Sequence, residues 1–407
     1  MVNNWNMGCV YKSKIIKKSI YDLYNYVKKE NHIGFDPYDG LSGKMQRYYN
    51  IKYLNIILLQ FNLYSFVNLR KILGIKKGCA NKALAIFSRS YFFLYLITKE
   101  KEFLDNAIKL FDILKERNLL NNKDNYTCSS HYFTYLAPGH YLTPSVPDII
   151  CTTEFVKSSV LAYEVLGKSQ YLEYAEKGIN YLFYNLLTSK TGYGCYFKYT
   201  PYEETKIVLN ASALALDAFS YFYKHSQNKK FLELGKKVAR TLLHYQREDG
   251  AWPYSIYFKN NLQYWQVDFH QGYIIDGLIH FFDCVAESDL TSKMKTALGK
   301  GIDFYCQKQY RGNGTFYYRY PIKYPIDIHN QAQGIITFAN LFDFTGDYKY
   351  LELAERVALY TIEKMQDDEG YFYTHKYPLF TNKIPYMRWG QAWMMLALTN
   401  LLMALKK

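Results

Sequence analysis

Asp268-Phe269-His270-Gln271-Gly272-Tyr273-Ile274-Ile275 and Asp327-Ile328-His329-Asn330-Gln331-Ala332-Gln333 share an Asp-x-His signature, and each opens a long apolar run. Apolar segments also begin at residues 152, 210 and about 388, so successive starts differ by 58, 58, 59 and 61. A second amphipathic stretch follows each start, with a common pattern in Tyr171-Leu172-Glu173, Phe231-Leu232-Glu233 and Tyr350-Leu351-Glu352, and further back in Phe103-Leu104-Asp105. A glycine and aromatics come next, as in Gly192-Tyr193-Gly194, Gly250-Ala251-Trp252, Gly312-Asn313-Gly314 and Gly370-Tyr371-Phe372. Helix, turn, helix and loop repeating at a fixed period is the mark of stacked hairpins, since one hairpin cannot bury its apolar face alone.

Counting the helices distinguishes an open solenoid from a closed ring. First helices of the hairpins fall near 82–98, 152–166, 210–224, 268–285, 327–345 and 389–405, and second helices near 101–118, 170–187, 229–246, 291–309 and 348–365. The last first helix lacks a partner, and so does the amphipathic segment Ile15 to Lys29. Pairing the two closes the ring and buries the faces an open array would expose. The first helices are apolar nearly all round and carry small residues such as Ala211, Ala213 and Gly277, so they belong inside; the second helices, with faces such as Glu352, Glu355 and Arg356, belong outside. The expected fold is all-α, an (α/α)6 toroid formed by residues 1–407 as one domain, with residues 30–80 laid over one rim.

Composition narrows the partners. No apolar stretch is long enough to span a bilayer. The opening Met1-Val2-Asn3-Asn4-Trp5 lacks the basic-then-apolar order of a secretory signal, so the expected location is the cytoplasm. Seven scattered cysteines fit reduced thiols there. The net charge of +14 suits an anionic polymer. No nucleic-acid-binding signature accompanies it, and 18% aromatic residues favour an oligo- or polysaccharide, acidic by preference, stacking on flat rings. The oligomeric state is not legible.

Gly34-Phe35-Asp36-Pro37-Tyr38-Asp39-Gly40-Leu41, Asn81-Lys82-Ala83-Leu84-Ala85, Trp265-Gln266-Val267-Asp268-Phe269-His270, Pro325-Ile326-Asp327-Ile328-His329-Asn330-Gln331 and Arg388-Trp389-Gly390-Gln391-Ala392-Trp393 resemble, in the same order, segments of the VpsJ-like polysaccharide biosynthesis proteins. The resemblance implies the six-hairpin glycosidase architecture and a role in making or remodelling a polysaccharide. Tyr132-Phe133-Thr134-Tyr135-Leu136-Ala137-Pro138-Gly139-His140 departs from it, lacking the Trp-rich character of relatives.

The repeat frame puts Thr152 with Glu154, Asn210 with Ser212, Asp268 with His270, Asp327 with His329, and Arg388 with Gln391 at one rim, because all inner helices point the same way. Thr, Asn and Asp are preferred helix N-caps, which accounts for Thr152 and Asn210. A cap needs no histidine two residues on, so Asp268, His270, Asp327 and His329 are the candidate catalytic residues. Helices about 8–10 Å apart could hold Asp268 and Asp327 at the separation used by inverting glycosidases. Asp39 is a third candidate if its loop folds over the rim, against a local turn role for it. The histidines equally suit an epimerase or β-eliminating lyase acting on uronic acids, with Arg388 or Arg319 neutralising the sugar carboxylate. Candidate substrate-binding residues are Glu154, Asn210, Trp252, Tyr254, Trp265, Arg319, Arg388, Trp389 and Gln391. No phosphate loop, metal triad or nucleophile elbow occurs, so the expected chemistry needs neither cofactor nor metal. The leading expectation is hydrolysis of a glycosidic bond; the alternatives are epimerisation, elimination and non-catalytic glycan binding.

Overall fold

In chain order the helices of the ring are α1 (Val2–Lys29), α2 (Asn81–Thr98), α3 (Lys101–Arg117), α4 (Ile149–Leu166), α5 (Ser169–Tyr181), α6 (Leu209–Ser226), α7 (Lys229–His244), α8 (His270–Phe282), α9 (Asp289–Phe304), α10 (Ile328–Thr345), α11 (Tyr348–Met365) and α12 (Trp393–Ala404). This computed structural model describes residues 2–42, 57, 59–63, 65, 67–121, 125–137, 140–188, 192–202 and 204–407; part of the expected rim extension, at 43–56, lies outside them. Helices α2, α4, α6, α8, α10 and α12 pack side by side in that order, and α12 returns to α2. The (α/α)6 toroid is therefore closed.

The inner helices are apolar and small on every side, which lets them crowd around the axis; the outer helices are amphipathic and bury one face. Four hairpins turn in two residues, because Lys99, Gly167, Gln227 and Gly346 adopt the left-handed conformation (φ 64°, 67°, 50° and 70°) and end the inner helix at once. Helix α1 takes the sixth outer position, against α11 and α12. Lys12 pairs with Glu355 at 2.8 Å, Ser19 Oγ donates to Gln366 at 2.6 Å, and on the other side Tyr24 donates to Glu102 of α3 at 2.8 Å.

The glycine ends of the glycine-aromatic loops sit against the outer helices. Gly250 (φ +93°) sits so close to the next outer helix that a Cβ would lie 2.1 Å from the Lys300 carbonyl, and at Gly370 (φ +96°) it would lie 2.3 Å from that of Asp22. These glycines let each loop touch the following outer helix, with α1 as the last in the series. A clasp from the next inner helix holds each loop in turn. Gln271 accepts from the Trp252 amide (2.9 Å) and donates to its carbonyl (2.8 Å), and Gln391 does the same to Phe372 (2.8 Å each). Gln331 binds Phe316 and Gly314 likewise, while Ser212 and Thr152 accept from the amides of Phe197 and Ser129. These clasp residues, Thr152, Ser212, Gln271, Gln331 and Gln391, are spaced 60, 59, 60 and 60 apart. That is the true register of the repeat.

Charged and polar side chains link neighbouring inner helices. Arg89 of α2 pairs with Glu154 of α4 (2.5 Å), Lys157 of α4 bridges Glu154 (2.7 Å) and Asp217 of α6 (3.0 Å), and Asp217 receives His280 of α8 (2.6 Å). Asp276 of α8 accepts from Gln333 (2.7 Å) and Thr337 (3.2 Å) of α10. The inner wall is thus tied together by a belt of buried polar contacts.

Just after α1, His32 is buried with its Nε2 2.8 Å from the Tyr91 hydroxyl. Burial, helped by Lys109, pushes its imidazole down from 6.5 to about 4. As the pH falls through 6.5 the unfolded chain takes up this proton first, so stability is lost from 6.5 down to about 4 and the loss levels off below that. His32→Gln removes that uptake. Its denaturant midpoint should lose less on acidification than that of the unmodified chain, with the gap approaching about 3 kcal/mol across the interval. Parallel pH profiles for the two proteins would contradict this.

Candidate active site

The N-terminal ends of the inner helices, together with the loops that enter them, surround a cleft of about 460 Å³. Pro37 and Tyr38 of the N-terminal extension line it from above. Asp36 anchors their loop by accepting both Nε (2.6 Å) and Nη2 (2.8 Å) of Arg388.

Two carboxylate–imidazole pairs face the cleft. Asp268, 3% exposed, precedes α8; its Oδ1 accepts from the His270 amide at 3.1 Å and from His270 Nδ1, while Oδ2 accepts from Gln266 at 2.7 Å. Asp327, also 3% exposed, caps α10, its Oδ1 accepting from the amides of His329 (2.8 Å) and Asn330 (3.1 Å). Its Oδ2 lies 2.8 Å from Nε2 of His375 and 3.3 Å from the Trp389 indole nitrogen. A short sheet sets up the second pair: β1 (Ile326–Asp327) runs antiparallel to β2 (His375–Lys376), with Asp327 opposite His375. A carboxylate on one ring nitrogen fixes the imidazole tautomer and leaves the other nitrogen basic. For His270 that nitrogen is Nε2, and for His375 it is Nδ1.

His329 is not the counterpart of His270 that the matching signatures suggest. Its Nε2 lies 2.6 Å from the Tyr273 hydroxyl, and its ring is packed between Phe269 and Trp389, both at 4.4 Å. Burial, with Lys82 and Arg388 adding, holds its imidazole well below the ordinary range and hence neutral.

Of the residues singled out in the sequence, Asp268, His270, Asp327, His329, Asn210, Tyr254, Arg319, Arg388 and Trp389 share the cleft lining. Five do not. Asp39 is fully buried, bonded to Arg70 Nε at 2.7 Å and to the Asp36 amide at 2.9 Å, so its role is to fix the loop. Glu154 lies below the cleft in the ion-pair belt. Trp252 is buried in a clasped loop and Gln391 is the clasp of another. Trp265 packs outside beneath the Arg247 guanidinium, 4.6 Å from its ring. Arg388 is already neutralised by Asp36, which removes it as the partner of a substrate carboxylate. The expected caps shift too: α4 is capped by Asp148 and α6 starts after Val208, because Thr152 is a clasp and Asn210 points to the cleft.

The sequence reading missed His375, Lys82, His131, Lys206 and Tyr199, all in the lining. A signal for several exists. Residues four or five beyond the loop glycines (Tyr199 after Gly194, Tyr254 after Gly250, Tyr318 and Arg319 after Gly314, Thr374 and His375 after Gly370) are the ones that reach the cleft.

Among the described residues one cluster offers metal donors, His131, Asp148 and Cys151, whose ligand atoms lie within 4.8 Å of one another. Burial, reinforced by Asp148, keeps the Cys151 thiol well above its ordinary range and so protonated, and Lys82 and Arg388 lie close enough to act on it. Both features oppose a cation. No described helix is long and apolar enough to cross a membrane.

The chain is similar in structure to an unsaturated glucuronyl hydrolase specific for heparin (TM-score 0.65, 12% identity, 96% of each chain covered). It is also similar to the cellobiose 2-epimerase of Spirochaeta thermophila (TM-score 0.62, 12% identity, 81% of this chain and 86% of that one) and to the GH76 α-mannanase of Bacteroides thetaiotaomicron (TM-score 0.61, 12% identity, 81% and 88%). At these identities the likeness is one of fold: the chain has the six-hairpin glycosidase fold. No protein-family model and no curated protein matches the sequence, so the resemblance to the VpsJ-like proteins rests on the quoted segments alone.

Proposed function

We propose that this chain is a carbohydrate-active enzyme that moves a proton at a carbon beside a sugar carbonyl or carboxylate, an epimerase or isomerase serving polysaccharide synthesis. The observation that carries the reading is the pair of imidazoles in one cleft, each held by its own carboxylate. A neutral imidazole takes the proton from carbon; the C–H electron pair becomes the new C=C bond and the carbonyl pair moves to oxygen. The other imidazole then returns a proton to the opposite face of that carbon, or the same one returns it to the neighbouring carbon. Aromatic walls from Tyr254, Tyr318 and Trp389 suit a sugar ring. Glycosidic hydrolysis by Asp268 and Asp327 themselves, the leading expectation from the sequence, is less favoured, because all four of their oxygens already accept hydrogen bonds. The fold neighbours include enzymes of both kinds, which leaves the choice to the site.

Incubation with a panel of reducing sugars and short acidic and neutral oligosaccharides in D2O, followed by NMR and mass spectrometry, tests the reading. The expected product has the same chain length, deuterium at one carbon and inverted or isomerised configuration there. Cleavage with gain of one water would replace the reading with hydrolysis, and an unsaturated product would replace it with elimination. Binding without any product would leave a glycan-binding protein.

A further inference from the structure

The cleft contains a lysine that no neighbour neutralises. Lys82, in the first turn of α2, is 6% exposed and lines the cleft. Its ammonium makes no hydrogen bond or ion pair with any described residue and rests 5.0 Å from the centroid of the Trp393 ring. The acids close enough to act on it are engaged elsewhere: Glu154 with Arg89 and Lys157, and Asp148 as the cap of α4 beside His131. Burial, reinforced by Arg388, lowers the ammonium to about 8, as befits a cation short of countercharge.

The other charged side chains of the lining are engaged, Lys206 beside Glu204 among them. Asp36 cancels Arg388, and each cleft aspartate is shared with a histidine. Asn210, buried in the same lining, has an Oδ1 with no partner among the described residues.

A desolvated ammonium in a cleft wall is stabilised when a ligand brings the missing anion and excludes the remaining water. We propose that Lys82 receives the carboxylate of a uronate ring while Asn210 Oδ1 accepts one of its hydroxyls, so that the cleft takes an acidic sugar in preference to its neutral counterpart. The inference rests on the sugar-binding reading above. A single ammonium matches the single charge of a carboxylate, whereas a phosphoryl group carries nearly two charges and calls for more donors.

Calorimetric titration of the intact chain with glucuronate and glucose, galacturonate and galactose, mannuronate and mannose, and glucose 6-phosphate tests this without relying on turnover. At least one uronate should bind about tenfold or more tightly than its neutral partner, the usual worth of a charge-assisted hydrogen bond. Lys82→Met should bring the pair to within about twofold, and Lys82→Arg should keep most of the preference because it keeps the charge. Equal binding of acid and neutral sugar by the unmodified chain, or a preference that survives Lys82→Met, overturns the proposal. Tighter binding of glucose 6-phosphate than of any uronate overturns the choice of carboxylate. If no sugar of either kind binds, the sugar-binding reading itself falls. Should Lys82→Met not fold, the unmodified chain is titrated with the methyl ester of the preferred uronate, which keeps the shape and removes the charge; ester and acid binding alike is then the overturning result.

Discussion

Asp268→Asn is expected to lower turnover by about two to four orders of magnitude, the range for loss of a positioned proton-transfer group. Stability should change by no more than about 0.5 kcal/mol, since Asn is as good as Asp at a helix start. The two effects separate because Asp268 does two jobs through one oxygen. Its Oδ1 accepts from the backbone amide of His270 and from the ring Nδ1. An amide oxygen can still take the backbone bond, but it carries no charge to hold the imidazole as the Nδ1–H tautomer or to stabilise the imidazolium that forms when Nε2 takes up a proton. Asp327→Asn should act in the same way through His375, because the two backbone bonds at the start of α10 survive while the NH2 group that replaces Oδ2 can no longer accept from His375 Nε2. The measurement is kcat on the sugar found by deuterium exchange, beside a denaturant midpoint for each variant. Unchanged turnover in both variants would remove both carboxylate–imidazole pairs from the mechanism. A loss of activity that only follows a loss of folded protein would reduce them to caps.

The hairpin repeat was legible because it is written in local terms. A 3.6-residue apolar period, two-residue turns and loop glycines each depend on neighbours a few positions away, and the unpaired Ile15 to Lys29 segment follows from counting alone. The register was harder. Polar residues at the helix starts look equivalent, yet Thr152, Ser212, Gln271, Gln331 and Gln391 are the true equivalents, linked by what they clasp rather than by residue type. Placing Thr152 and Asn210 as caps and Glu154 at the rim follows from that slip, which grows to four positions between Thr152 and Asp327. His375 was missed for a different reason: it lies 48 residues beyond Asp327 in the chain and reaches it only through a two-residue sheet. Arg388 was read as a free cation because its partner, Asp36, stands 352 residues away. Charge pairing across a ring closure leaves no periodic trace in the sequence.

Glu154→Gln is expected to cost about 3–5 kcal/mol of stability, the range for breaking a buried ion pair from one side. The carboxylate is fully buried between Arg89 and Lys157. Burial alone would raise its titration, but those two cations outweigh it and hold the carboxyl below its ordinary value. Its contribution is therefore present above the unfolded carboxylate value and lost as the pH falls through the lower folded one. Gln keeps the shape and removes the charge, leaving the Arg89 guanidinium buried with no anion, while Lys157 retains Asp217. Removing both members of the Arg89–Glu154 pair should be milder than removing Glu154 alone. The double variant Arg89→Met with Glu154→Leu is thus expected to be the more stable of the two when their denaturant midpoints are compared at one pH above neutral. A loss below about 1 kcal/mol for Glu154→Gln would mean that water reaches the pair and screens it. The same variant also separates structure from chemistry. Glu154 lies outside the cleft lining, so whatever fraction of Glu154→Gln remains folded should turn over at close to the unmodified rate, whereas a residue that bonded the sugar or gave it a proton would lose kcat or raise KM in fully folded protein.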